Sequence, residues 1–148
     1  MSDFEQLQKG EFMSRRELRV QIFKMLFRVE FHSPDDIKEQ MQLFFDGEVN
    51  EETAGMSEED QEYIVHKVEQ IREKLPVIDE AINENTQGWK TSRMGKVDLT
   101  LIRLATYEIK FDEAVPTGVA INEAVEIAKK YGTVESPAFV NGVLAKLA

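Results

Sequence analysis

Apolar residues recur three and four positions apart along most of this chain, the spacing that lines one face of an α-helix. Ser14-Arg15-Arg16-Glu17 has the S-x-x-E form of a capping box, so a first helix starts there. Ile22, Phe23, Met25, Leu26, Phe27, Val29 and Phe31 follow. That stripe is wide and predicts packing on more than one side. Ser33-Pro34-Asp35-Asp36 is a second start signal: a cap, proline in the first turn, and acids near the positive end of the dipole. Ile37, Met41, Phe44 and Phe45 give that helix its face. Residues 46–55 are acidic, hold two glycines and read as a loop. Ser57, with Glu58, Glu59 and Asp60, opens a third helix faced by Ile64, Val68, Ile71 and Leu75.

Pro76 then restarts or kinks the chain. Val77, Ile78, Ala81 and Ile82 carry a short fourth helix to about Thr86. Residues 88–95 form a connection, with one helical turn expected around Trp89. Residues 97–111 are apolar nearly all round, through Val97, Leu99, Leu101, Ile102, Leu104, Ala105 and Ile109, which predicts a helix in the middle of a bundle. Residues 116–131 place Ile121, Ala124, Val125, Ala128 and Tyr131 at helical spacing, with Gly132 as the C-terminal cap. Ser136-Pro137 starts a last helix with Val140, Val143, Leu144 and Leu147 on one face. The short apolar runs all keep helical spacing, so no strand is expected. The pattern predicts an all-α fold of about seven helices.

Length and composition fit that reading. The 148 residues are 42% hydrophobic and 31% charged, a globular balance. They divide into an acidic extension, residues 1–13, and a single domain over residues 14–148. There is no cysteine, which excludes disulfides, thiolate metal sites and cysteine nucleophiles and fits a reducing cytosol. No apolar run approaches the ~18 residues of a membrane span, and the first twelve residues have no signal-peptide core. A cytoplasmic protein is expected.

The net charge of −10 argues at first against a nucleic-acid partner. Its distribution changes that. Residues 14–28 carry Arg15, Arg16, Arg19, Lys24 and Arg28 against Glu17 alone, a local +4. Residues 29–62 hold twelve acids and only Lys38, a local −11. Residues 1–13 stand at −2 and residues 63–148 at −1. A cationic helix therefore precedes one acidic block.

Motifs for catalysis are missing. The chain has no G-x-S-x-G, P-loop, G-x-G-x-x-G or H-E-x-x-H sequence, and no EF-hand spacing among its acids. Its two histidines, His32 and His66, have no evident partner and read as structural or surface residues. The cationic segment is the more suggestive feature. Arg15 and Arg19, like Lys24 and Arg28, are four apart and share a face. A solvated helix face would explain them blandly. Against that, cations at a helix N-terminus oppose the macrodipole and gain nothing there for folding. Arginine offers bidentate contacts to phosphate and stacks on unpaired bases. Asn122 and Glu123 read as surface or capping groups. Gly142, inside a helix at a cost of ~1 kcal/mol against alanine, reads as a point of close helix approach.

Several stretches together carry a resemblance. They are Ser-Arg-Arg-Glu-Leu-Arg-Val-Gln at 14–21, Met-Leu-Phe at 25–27, Leu-Ile-Arg-Leu-Ala-Thr-Tyr-Glu-Ile at 101–109 and Val-Pro at 115–116. Ile-Asn-Glu-Ala-Val-Glu-Ile-Ala-Lys-Lys-Tyr-Gly at 121–132 and Phe-Val-Asn-Gly-Val-Leu at 139–144 complete them. In order and spacing the chain resembles the NusB family of bacterial transcription antitermination factors, over residues 14–148. The resemblance implies two small packed helical bundles, no catalytic activity, and no cofactor or metal. It implies binding to boxA RNA of nascent transcripts, notably of ribosomal RNA operons. The small-subunit ribosomal protein NusE is the implied partner, within an RNA polymerase complex that reads through terminators. It places Arg15, Arg16 and Arg19 on RNA, with Glu135, Ser136 and Phe139 as a second RNA contact and Phe139 a stacking platform. Phe27 and Asp98 fall at partner-binding positions, and Arg103 either supports the RNA face or bridges helices. Two departures stand out. Residues 1–12 are acidic where the family often carries bases, and Phe27 replaces a frequent tyrosine. Weak RNA binding alone and dependence on the partner follow. The alternatives are a protein-only interaction module or homodimer without RNA binding, and the NusB-like module of a ribosomal RNA methyltransferase. The latter needs a glycine-rich cofactor loop that is not found here.

Overall fold

The computed structural model describes residues 13–148, and among these it has seven α-helices. They are α1 (Arg15–Glu30), α2 (Ile37–Phe44), α3 (Glu58–Glu73), α4 (Leu75–Asn85), α5 (Lys96–Phe111), α6 (Thr117–Tyr131) and α7 (Ser136–Leu147). Short 3-10 turns lie at Pro34–Asp36, Glu51–Thr53 and Thr91–Arg93. No strand occurs among the described residues. The acidic extension expected over residues 1–13 lies, but for Met13, outside them. The chain forms two units, Met1–Glu69 and Gln70–Ala148.

In the first unit the capping box forms as its sequence requires. The Glu17 amide donates to Ser14 Oγ and the Ser14 amide to Glu17 Oε2, both at 3.2 Å. Two orphan amides of α1 are thereby satisfied. Ile22, Phe23, Met25, Leu26 and Val29 are buried, and α1 packs on α2. The second start signal works differently from a simple cap. The Ser33 hydroxyl bonds Asp36 Oδ2 at 2.9 Å, Pro34–Asp36 winds as a 3-10 turn, and α2 begins only at Ile37. The acidic loop is closed onto α2 by two side chains. Thr53 Oγ1 and Asn50 Nδ2 both donate to the Phe44 carbonyl, at 2.6 and 3.0 Å. Ser57 caps α3 by accepting from the Asp60 amide at 3.1 Å. The buried Asp60 carboxylate accepts the Met13 amide at 2.9 Å.

In the second unit α5 is central, with α4, α6 and α7 all packed on it. Leu99, Leu101, Ile102, Leu104, Ala105 and Tyr107 are buried along its length, as its all-round apolar pattern predicts. Ala120, Ala124 and Ala128 of α6 and Val140 and Leu144 of α7 complete this core. Pro76 lies in the first turn of α4, where its missing amide costs nothing.

Arg103 of α5 and Asp79 of α4 form a two-pronged ion pair: Nε to Oδ1 at 2.9 Å and Nη2 to Oδ2 at 2.8 Å. Their side chains are 14% and 26% exposed. Of the two roles open to Arg103, the structure gives it the helix bridge. Asp79→Ala leaves the guanidinium without its carboxylate and should cost about 2 kcal/mol. For a chain of this size that lowers Tm by about 4–8 °C. A thermal melt followed by circular dichroism checks this, and an unchanged Tm would show that water replaces the pair fully.

Two glycines act otherwise than their positions suggest. Gly132 caps α6, its amide reaching the Ala128 carbonyl, but its backbone is extended (φ −93°, ψ −167°) and not left-handed. Its requirement is space. A Cβ there would lie 2.5 Å from Ser136 Cβ and Oγ and 2.9 Å from the Ala128 carbonyl oxygen. Gly142 is the reverse case: it is exposed, and a Cβ there would meet nothing within 4 Å. The close helix approach expected at Gly142 is absent.

Candidate nucleic-acid interface

The capping box fixes where the cationic segment begins. Arg15 and Arg16 are exposed in the first turn of α1, and Arg19 is half-buried one turn later. Further along the helix the bases are engaged inside the first unit. Lys24 is ion-paired with Glu52, and Arg28 Nε donates to Gln40 Oε1 at 3.0 Å. The five bases of this helix thus divide into an N-terminal group of three arginines and a C-terminal pair used for packing. The first group holds the three arginines expected on RNA.

In the second unit Glu135, Ser136 and Phe139 share the corner between α6 and α7. Glu135 is exposed at the N-cap of α7. Ser136 is buried, and its Oγ accepts the Thr133 amide at 2.9 Å, so its hydroxyl serves the turn. Phe139 is half-buried and meets Trp89 edge to face, with centroids 5.3 Å apart and planes at 67°. The helical turn expected around Trp89 forms instead at Thr91–Arg93, which leaves the indole 55% exposed.

Trp89 and its neighbours are the part of this surface that sequence reasoning missed. Residues 86–97 hold Lys90, Arg93, Lys96 and the only tryptophan, and no acid. The signal was present in the sequence. It vanished when charge was averaged over residues 63–148, where it cancels to −1.

The expected partner positions differ in kind. Phe27 is half-buried and packs edge-on against Phe31, with centroids 5.1 Å apart. Phe31, grouped by sequence with the packing stripe, is 58% exposed and extends the aromatic surface at the end of α1. Asp98 lies in the first turn of α5, where a negative charge suits the helix dipole. Its Oδ1 is buried and has no hydrogen-bond partner among the described residues. His66 is exposed on α3, in an open groove with Phe45, Glu62 and Glu69. No group of three or more His, Asp or Glu side chains among the described residues is arranged to hold a metal. No helix among them is long and apolar enough to cross a membrane.

An all-α frame thus carries a capped cationic helix start in the first unit and an aromatic corner in the second. Residues 16–148 match the sequence pattern of the NusB family, and the chain belongs to that family. It is 54% identical over 136 residues to the transcription antitermination protein NusB of Agathobacter rectalis, covering 92% of this chain and all of that one. The solved structure of T. maritima NusB superposes with a TM-score of 0.78 at 35% identity, covering 92% of this chain and 91% of that one. A solved assembly of antitermination factors NusB and NusE with double-stranded RNA holds a chain of the same fold, with a TM-score of 0.71 at 24% identity over 90% of this chain and 94% of that one.

Proposed function

We propose that this chain is a transcription antitermination factor: a non-catalytic, cytoplasmic adapter that binds boxA RNA together with the ribosomal protein NusE and promotes read-through by RNA polymerase. The observation that carries this reading is its membership of the NusB family over nearly the whole described chain, at 54% identity to a protein named for antitermination. Residues 14–148 act in it as one RNA-binding domain. Arg15, Arg16 and Arg19 take phosphates and bases. Glu135 and Phe139 make a second RNA contact, held in place by the Ser136 turn. Phe27, with Phe31 beside it, and Asp98 meet NusE. An acidic position suits that partner, because ribosomal proteins are generally basic.

The charge balance sets the affinity. A chain at −10 repels RNA at long range, so its few cations give weak binding alone and the partner supplies the rest. A gel-shift titration with boxA RNA, with and without NusE, tests this. A faint shift alone and a tight, salt-sensitive shift with NusE are expected. No shift in any mixture would remove the RNA assignment and leave a protein-only module or homodimer.

A further inference from the structure

We infer that Trp89 and Phe139 form a stacking station for unpaired RNA bases, with Lys90 and Arg93 as its phosphate contacts. Trp89 is half-exposed yet held on a fixed backbone. Its amide donates to the Thr86 carbonyl at 2.7 Å, and the buried Thr86 hydroxyl lies between the Trp89 carbonyl, at 2.6 Å, and the Ile82 carbonyl, at 2.7 Å, with one proton to give to either. Gly88 turns the chain just before it at φ 82°, a conformation that side chains rarely adopt. The Thr91 amide is tied to Asn83 Oδ1 at 2.9 Å. A ring presented from a held loop loses little conformational freedom on binding. An edge-to-face pair also leaves ring faces that the partner ring does not cover.

The surroundings choose the ligand. Lys90 and Arg93 are exposed, and among the described residues neither side chain is in an ion pair. In a chain at −10, residues 86–97 stand at +3. Aromatic faces interleaved with cations match alternating bases and phosphates. An acidic peptide would use the charge but not the rings. A duplex keeps its bases in its own stack, so the occupant is a single strand.

This inference rests on the RNA-binding reading, and the test separates the two. Trp89 is the only tryptophan, so tryptophan emission, excited to the red of tyrosine absorption, reports on the station alone in the whole protein. Single-stranded boxA RNA at low salt should quench it saturably. Anisotropy of end-labelled RNA measures affinity independently. Trp89→Ala should weaken binding about tenfold and Trp89→Phe by less than about threefold, since stacking needs a ring face. Lys90→Gln with Arg93→Gln should flatten the salt slope by up to about 1.4. RNA that binds Trp89→Ala as tightly as the unaltered protein, without quenching the latter, overturns the station and leaves the RNA reading standing. Duplex RNA quenching as strongly as the single strand also overturns it. Absence of any RNA binding, with or without NusE, overturns both.

Discussion

Arg16→Ala combined with Arg19→Ala is expected to weaken boxA binding by about one to two orders of magnitude, and to flatten its salt slope by up to about one per lost phosphate contact. The size of the effect follows from the charge map. With a −11 block directly after the cationic helix, no surplus of bases exists to replace two arginines. Folding should survive the change. The Ser14–Glu17 capping box is untouched, and cations at this end of α1 oppose the helix dipole. Stability is expected to hold within about 1 kcal/mol, as for substitutions outside the core. The later bases of α1 give the contrast. Lys24→Ala loses the Glu52 pair and Arg28→Ala the Gln40 hydrogen bond, so both act on the first unit before they act on RNA. Filter or anisotropy titrations at several salt concentrations read all three variants. Unchanged affinity and slope in the double variant would remove Arg16 and Arg19 from the interface.

Most of the fold was legible because local rules and burial agree. Ser14 and Glu17 announce a capping box and form one. Pro76 announces a restart and lies in the first turn of α4. The all-round apolar pattern from Val97 announces a central helix, and α5 is that helix. What escaped depends on contacts distant in sequence or on space. Nothing near Arg103 indicates that its carboxylate stands 24 residues earlier, at Asp79. Nothing in a helical Gly142 distinguishes an open surface from a crowded one; its neighbours decide, and here they are absent. Phe31 fits the apolar period of α1 yet falls at its C-cap, where the period no longer applies and the ring turns outward. The candidate surface was legible where residues cluster in sequence, as at Arg15, Arg16 and Arg19. The Trp89–Phe139 pair was not, because its two rings stand 50 residues apart and meet only through the packing of α4 on α7.

Gly132→Ala should be among the most damaging single substitutions in the second unit, although the residue has an ordinary φ and buries no side chain. The new Cβ would lie 2.5 Å from both Ser136 Cβ and Oγ, and 2.9 Å from the Ala128 carbonyl. A hydroxyl can rotate away, but Cβ and a helical carbonyl move only with the backbone. The corner between α6 and α7 must therefore open, breaking the Gly132–Ala128 cap or the Thr133–Ser136 bond, each now 2.9 Å. Overpacking of this kind costs about 2–3 kcal/mol, or about 4–12 °C in Tm. The same opening shifts Glu135 and Phe139, so Trp89 fluorescence should change and RNA affinity fall with stability. Ser136→Gly supplies the control. It removes both 2.5 Å clashes, so the double variant should recover about 1 kcal/mol relative to the sum of the single ones, a coupling expected only of residues in contact. A Gly132→Ala protein that melts with its parent, or a cycle with no coupling, would show that the corner has room. The glycine would then have to be explained by the chain outside this turn.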